Sequence, residues 1–136
     1  MKIYIASSWK HQHAVEMLTL LLREKGCDVT SWIENNHGEN NIPNFEEWIK
    51  TDKAVQSFEF DSHGAMTCDL FIYLGNAGKD AAAECGMCYG RRLSGPTIPM
   101  LALNAKGEDF GLMRLMFDRW FDSFRELLLA VDKLNV

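Results

Sequence analysis

Positive charge is scarce in this chain: 14 lysines and arginines stand against 19 aspartates and glutamates, for a formal net charge of −5. Without a broad basic field to gather phosphates and release their counterions, a nucleic-acid polymer is not an expected partner, although a single nucleotide is not excluded. Long apolar runs are missing too. Stretches such as Leu20–Leu22 and Leu127–Val131 fall far short of the ~20 residues that cross a bilayer, so no membrane partner is expected. Met1–Ala6 opens directly on a strand-like run, with no basic segment, long apolar stretch and cleavage site before it, and a cytoplasmic location is the expectation. Internal repeats and low-complexity segments are absent.

Cysteine is sparse: Cys27, Cys68, Cys85 and Cys88 are the only four. In a reducing compartment they are expected as small buried hydrophobes. Cys85-Gly86-Met87-Cys88 has the C-x-x-C spacing, but a structural zinc site needs a second ligand pair and none stands nearby. The expectation is therefore no metal, and no disulfide within what reads as one helix. His11 and His13 do not share a helix face, and His37 and His63 have no placed partner.

What is present is ordinary globular material, 47% hydrophobic and 24% charged over 136 residues, enough for one core and one domain spanning residues 1–136. Lys2–Ala6 (KIYIA) is short, β-branched and aromatic, and Ser7-Ser8 after it can cap a helix. Val15, Leu18, Leu20, Leu21 and Leu22 give an apolar face to a helix over about 10–25, stopped by Gly26. Cys27–Trp32 reads as a second strand, followed by a polar loop, 34–43, that holds Gly38, Asn35, Asn36, Asn40 and Asn41. Asn44 with Glu47 resembles a capping box, opening interrupted helical structure to about Ala65. Asp69–Leu74 (DLFIYL) has the unbroken apolar character of a strand covered on both faces. A turn through Gly75-Asn76-Ala77-Gly78, a helix over Asp80–Arg92 and a strand over Thr97–Leu103 follow. Ser123 with Glu126 signals a last helix from Phe124, behind a strand near Arg119–Asp122.

Such alternation predicts an α/β fold: a three-layer, flavodoxin-like or Rossmann-like sandwich of about five mostly parallel strands in the order 2-1-3-4-5. Strand order reverses between strands one and three, so a crevice is expected there, lined by Ala6–Trp9 and Gly75–Glu84. Gly75 and Gly78 let the backbone approach a ligand, and the helix start after them offers free amides to phosphate or sugar hydroxyls. The stretch lacks the Gly-Lys-Ser/Thr ending of a P-loop. Glu84, early in the helix, is the candidate nucleophile. Asp80 is either a proton donor or the helix N-cap, Lys79 either holds a phosphate or is a surface lysine, and Asp69 either helps hold the ligand or merely begins its strand.

Taken together, K-I-Y-I-A-S at the start and the run from Asp69 to Gly86, ending in Asp80-x-x-x-Glu84-x-Gly86, resemble the nucleoside 2-deoxyribosyltransferases and related nucleotide N-glycoside hydrolases. The resemblance spans Lys2 to about Leu128, with its specific part confined to Asp69–Gly86. It implies that Glu84 attacks the anomeric carbon of a nucleoside or nucleotide, that a covalent glycosyl-enzyme passes its sugar to a base or to water with retention, and that no cofactor is required. It also implies that Tyr4 lies near the sugar, that Ser7, Ser8 and Trp9 contact the nucleoside, and that the chain forms a homodimer or larger, with Trp120, Phe121 and Phe124 available for an apolar contact. One position departs from the pattern. Gly78 stands six residues before Glu84, where the family has aspartate or serine, so the acid role does not carry over to it. Two other readings remain: an NAD glycohydrolase akin to Toll/interleukin-receptor-like domains, and a nucleotide-binding module without turnover.

Overall fold

A strand flanked by neighbours and covered by helices on both faces has no polar position to spare, and the third strand of this chain is such a strand. The computed structural model describes residues 1–36 and 38–135; His37, noted above, lies outside them. β3 (Leu70–Leu74) is buried at every position. It lies in a sheet with β1 (Lys2–Ala6), β2 (Asp28–Thr30), β4 (Met100–Leu103) and β5 (Arg119–Phe121), in the order β2-β1-β3-β4-β5. All pairings are parallel, with Ile3 opposite Leu70 and Ile72 opposite Leu101. The expected α/β sandwich and strand order are those observed.

The helices are α1 (Gln12–Glu24), α2 (Phe45–Trp48), α3 (Asp52–Thr67), α4 (Lys79–Leu93) and α5 (Phe124–Leu134). Their starts follow the capping residues: Asn44 accepts from the Glu47 amide, Thr51 from that of Ala54 and Ser123 from that of Glu126. Gly26, at φ +87°, takes the left-handed turn that ends α1. α3 and α4 pack on each other and on β1, while Lys25 after α1 bonds Asp132 of α5 at 2.8 Å on the sheet's other side.

Two strands are shorter than their sequences suggest. Pro96 and Pro99 have no N–H for a ladder, so β4 begins only at Met100. At the sheet edge β2 ends at Thr30, and Trp32 beyond it instead donates its indole N–H to the Ile5 carbonyl at 2.7 Å. Phe121 is buried and Trp120 packs with Tyr73, Phe110 and Phe117 in one aromatic group, so both serve the chain's own core. Cys85 and Cys88 share α4 and all four cysteines are buried free thiols. No described helix is long and apolar enough to cross a membrane.

Candidate functional site

Loops leaving the C-terminal ends of β1 and β3 run apart because the sheet's connections reverse between them, and the gap they leave is a natural ligand crevice. A cavity of about 450 Å³ opens there, within the range of small-molecule sites. A second hollow of about 210 Å³ adjoins it and shares Glu39, Phe45, Trp48, Asp61, Asp80 and Glu84 with it.

Tyr4 forms part of the cavity wall from β1. It is fully buried because α3 comes unusually close: a Cβ on Gly64 would run into the Tyr4 ring carbons. Its hydroxyl donates to Glu84 Oε2 at 2.9 Å. Burial, followed by the charge of Glu84, pushes the tyrosine pKa well above its usual value, so Tyr4 keeps its proton and acts as a fixed donor.

Glu84 reaches this donor from the second turn of α4 and is only 9% exposed. Burial first, then the charge of Asp61, pushes its pKa up to about 8; the Tyr4 bond pulls the other way and Asp80 raises it further. A carboxyl balanced between protonated and ionised near neutrality, at the base of a crevice, is a common feature of catalytic sites.

Ser7, Ser8, Trp9, Gly78, Lys79 and Asp80 also line the cavity. Ser7 Oγ donates to the Leu74 carbonyl at 2.9 Å, tying the two crevice loops together, and Ser8 Oγ accepts from the Lys10 amide at 3.3 Å. His11 Nε2 lies 2.9 Å from the Asn76 carbonyl and braces the same loop. Trp9 meets Trp32 edge-on, with ring centres 4.9 Å apart.

The structure bears on the open readings of Asp69 and Asp80 and leaves Gly75 out of the cavity wall. Asp69 lies at the far end of β3, a strand of ~16 Å at about 3.3 Å per residue, and its carboxylate accepts the Lys2 amide at 2.8 Å. A parallel strand has its first residue at the end opposite the crevice its last residue faces, so Asp69 does not line the cavity and the strand-start reading is the one observed. Gly75 is not in the cavity wall either; a side chain there would collide with the Glu108 carboxylate, which also accepts from Tyr73 Oη at 3.1 Å. The N-cap of α4 is Gly78, which leaves Asp80 inside the first turn and not as the cap.

Asp61 is the important residue that sequence reasoning does not single out. It projects from α3 into the cavity, and its buried Oδ1 has no hydrogen-bond partner among the described residues. Burial, then Glu39 and Asp80, raise its pKa to about 7. The available signal is Asp61-x-x-Gly64, a carboxylate one turn before the glycine that admits Tyr4. Trp32, Ile42, Phe45 and Trp48, also in the wall, come from loop and short-helix segments whose path periodicity does not fix.

The Asp61 shift makes stability depend on pH. With its pKa near 7 folded and near 3.8 unfolded, the native state binds more protons between these values, so stability falls as pH rises through that window. Asp61→Asn is expected to stabilise the fold at pH 8 relative to pH 4 by on the order of 1 kcal/mol after solvent screening, measured by urea denaturation. An effect equal at both pH values would remove Asp61 from the titrating groups.

Fold and site define a doubly wound α/β protein with a small-molecule cavity, walled by aromatic rings and carboxylates, at its switch point. No protein-family profile matches the chain, and no curated protein matches it in sequence. Solved structures do share its fold. A 2-deoxyribosyltransferase from the psychrotolerant bacterium Bacillus psychrosaccharolyticus superposes with a TM-score of 0.69 at 22% identity, over 93% of this chain and 90% of that one. A CMP N-glycosidase from Clostridium botulinum superposes with a TM-score of 0.59 at 19% identity, over 98% and 99%. This chain has the α/β fold of both.

Proposed function

We propose that this chain cleaves or exchanges the N-glycosidic bond of a small nucleoside or nucleotide, with Glu84 as nucleophile. The observation that carries the reading is the pair Tyr4 and Glu84, joined at 2.9 Å in the wall of the switch-point cavity. Two proteins of the same fold, a 2-deoxyribosyltransferase and a CMP N-glycosidase, indicate the class of chemistry.

Breaking a C1′–N bond develops oxocarbenium character on the sugar, which a nearby carboxylate stabilises and then captures. Tyr4 holds one oxygen of Glu84, leaving the other to approach C1′. Water or a second base then attacks C1′ from the opposite face, and two inversions give retention. A base that is neutral when bound needs a proton as it departs. Asp61 fits that role better than Asp80, because burial keeps its proton to near neutral pH whereas Asp80 is exposed. That Ser7, Ser8, Trp9, Gly78 and Lys79 line the same cavity supports a role for them in holding sugar, base or phosphate.

A binding module without turnover is the second reading, favoured by the absence of a side chain at Gly78. Incubating the purified chain with nucleosides, deoxynucleosides and their monophosphates, and following free base by chromatography, separates the two. Base release from at least one member is expected; ligand binding with no release from any would favour the module.

A further inference from the structure

The lining of the cavity is lopsided in charge. Asp61, Asp80 and Glu84 face it together, with Glu39 close enough to raise the Asp61 pKa, while Lys79 is its one cationic side chain among the described residues. Glu84 is nine-tenths buried and accepts from Tyr4 through Oε2. Among the described residues, Asp61 Oδ1 is buried without a partner. Lys79 offsets only part of the repulsion among Asp61, Asp80 and Glu84, and a ligand that brings positive charge would relieve the rest.

The rest of the wall points the same way. Trp9 and Trp32 meet at 4.9 Å and Phe45 and Trp48 at 6.2 Å, both pairs in the wall of this cavity. Aromatic faces interleaved with carboxylates are the chemistry that recognises a flat, delocalised cation. A neutral base gains stacking from these rings but nothing from the charge imbalance.

We propose that this cavity selects a nucleoside whose base carries a positive charge, such as an N-alkylated purine or a pyridinium. The inference rests on the N-glycoside reading above and names its substrate class. When the C1′–N bond of such a substrate breaks, its electron pair stays on the ring nitrogen and cancels the positive charge, so the base leaves neutral without accepting a proton. The Glu84 carboxylate forms the new C1′–O bond. Water then attacks C1′, Glu84 departs as carboxylate, and one proton passes to solvent. With a base of this kind Asp61 is a charge partner and not a proton donor.

The test separates charge selection from bond cleavage by using a probe with no sugar. Binding of 1-methylnicotinamide, a pyridinium cation, and of neutral nicotinamide is followed through tryptophan fluorescence of the wild-type chain. The cation is expected to bind at least ~10-fold more tightly, and Asp61→Asn, or Glu39→Gln if the first variant folds poorly, should shrink that ratio. Equal binding, or a preference for nicotinamide, overturns the proposal whether or not any nucleoside is cleaved. Cleavage is then measured with 7-methylguanosine and nicotinamide riboside beside guanosine. Tight cation binding without release of base from any of the three would leave the charge selectivity standing and overturn the N-glycoside reading on which the substrate assignment rests.

Discussion

Replacing Glu84 by glutamine is expected to lower turnover of a cleaved nucleoside by at least ~10²-fold while leaving the affinity for a neutral nucleoside nearly unchanged. The amide keeps the side chain's shape and can still accept from Tyr4 Oη, so the cavity stays formed. It cannot carry the negative charge that captures C1′. The loss belongs in kcat, because the interaction removed is made with the developing cation and not with the bound ground state. Since the folded-state pKa of Glu84 is about 8, the nucleophilic form grows as pH rises towards that value. For a cationic base, which leaves without a proton, the wild-type rate should climb across the same interval; for a neutral base it should peak between the Asp61 and Glu84 values, and the rising limb should be missing from the residual rate of the variant. Stopped-time assays of base release between pH 5 and 9 check both points. A glutamine variant as fast as the wild type would remove Glu84 from the mechanism.

Gly64→Ala is expected to destabilise the fold by ~1–3 kcal/mol, the usual effect of forcing a methyl group into a packed core. Alanine has the better helix propensity, so an exposed site would show a small gain instead. Here the new methyl would overlap the ring carbons of Tyr4 and lie 3.1 Å from Thr30 Cγ2. Tyr4 is fully buried and held at its far end by Glu84, so the ring has no room to yield and α3 must move outward. Asp61 lies one turn away on that helix and would move with it. Chemical denaturation should therefore show lower stability, and a nucleoside titration weaker binding, in the same variant. A variant as stable as the wild type would mean that α3 does not pack on Tyr4 this closely.

Most of the architecture could be read from the chain because its local signals agree. The apolar run LFIYL, the cap residues Asn44 and Ser123, and the stop at Gly26 each favour one conformation, and the β-α alternation they produce leaves few topologies. The site was legible where it follows the ends of β1 and β3: Tyr4, Ser7, Ser8, Trp9, Gly78, Lys79, Asp80 and Glu84 all line the cavity. Asp69 and Gly75 do not line the cavity, because nearness in sequence to β3 does not say which end of a strand, or which side of a turn, faces it. Asp61 carries no local signal beyond its spacing from Gly64, because its place in the cavity comes from α3 lying across β1, a contact between residues far apart in the chain. The meeting of Trp32, Phe45 and Trp48 in one wall is hidden for a similar reason, since the polar loop 34–43 between them has no periodicity that says where it leads.

The central claim, that Glu84 attacks the anomeric carbon, is tested most directly by trapping the covalent intermediate. A 2′-fluorinated nucleoside slows both steps by withdrawing electrons from the oxocarbenium-like transition state, and a good leaving base lets the glycosyl-enzyme accumulate. Mass spectrometry of the intact chain should then show an added fluorosugar, and peptide mapping should place it on Glu84. An adduct on any other residue, or release of base with no adduct on the chain, would contradict the assignment.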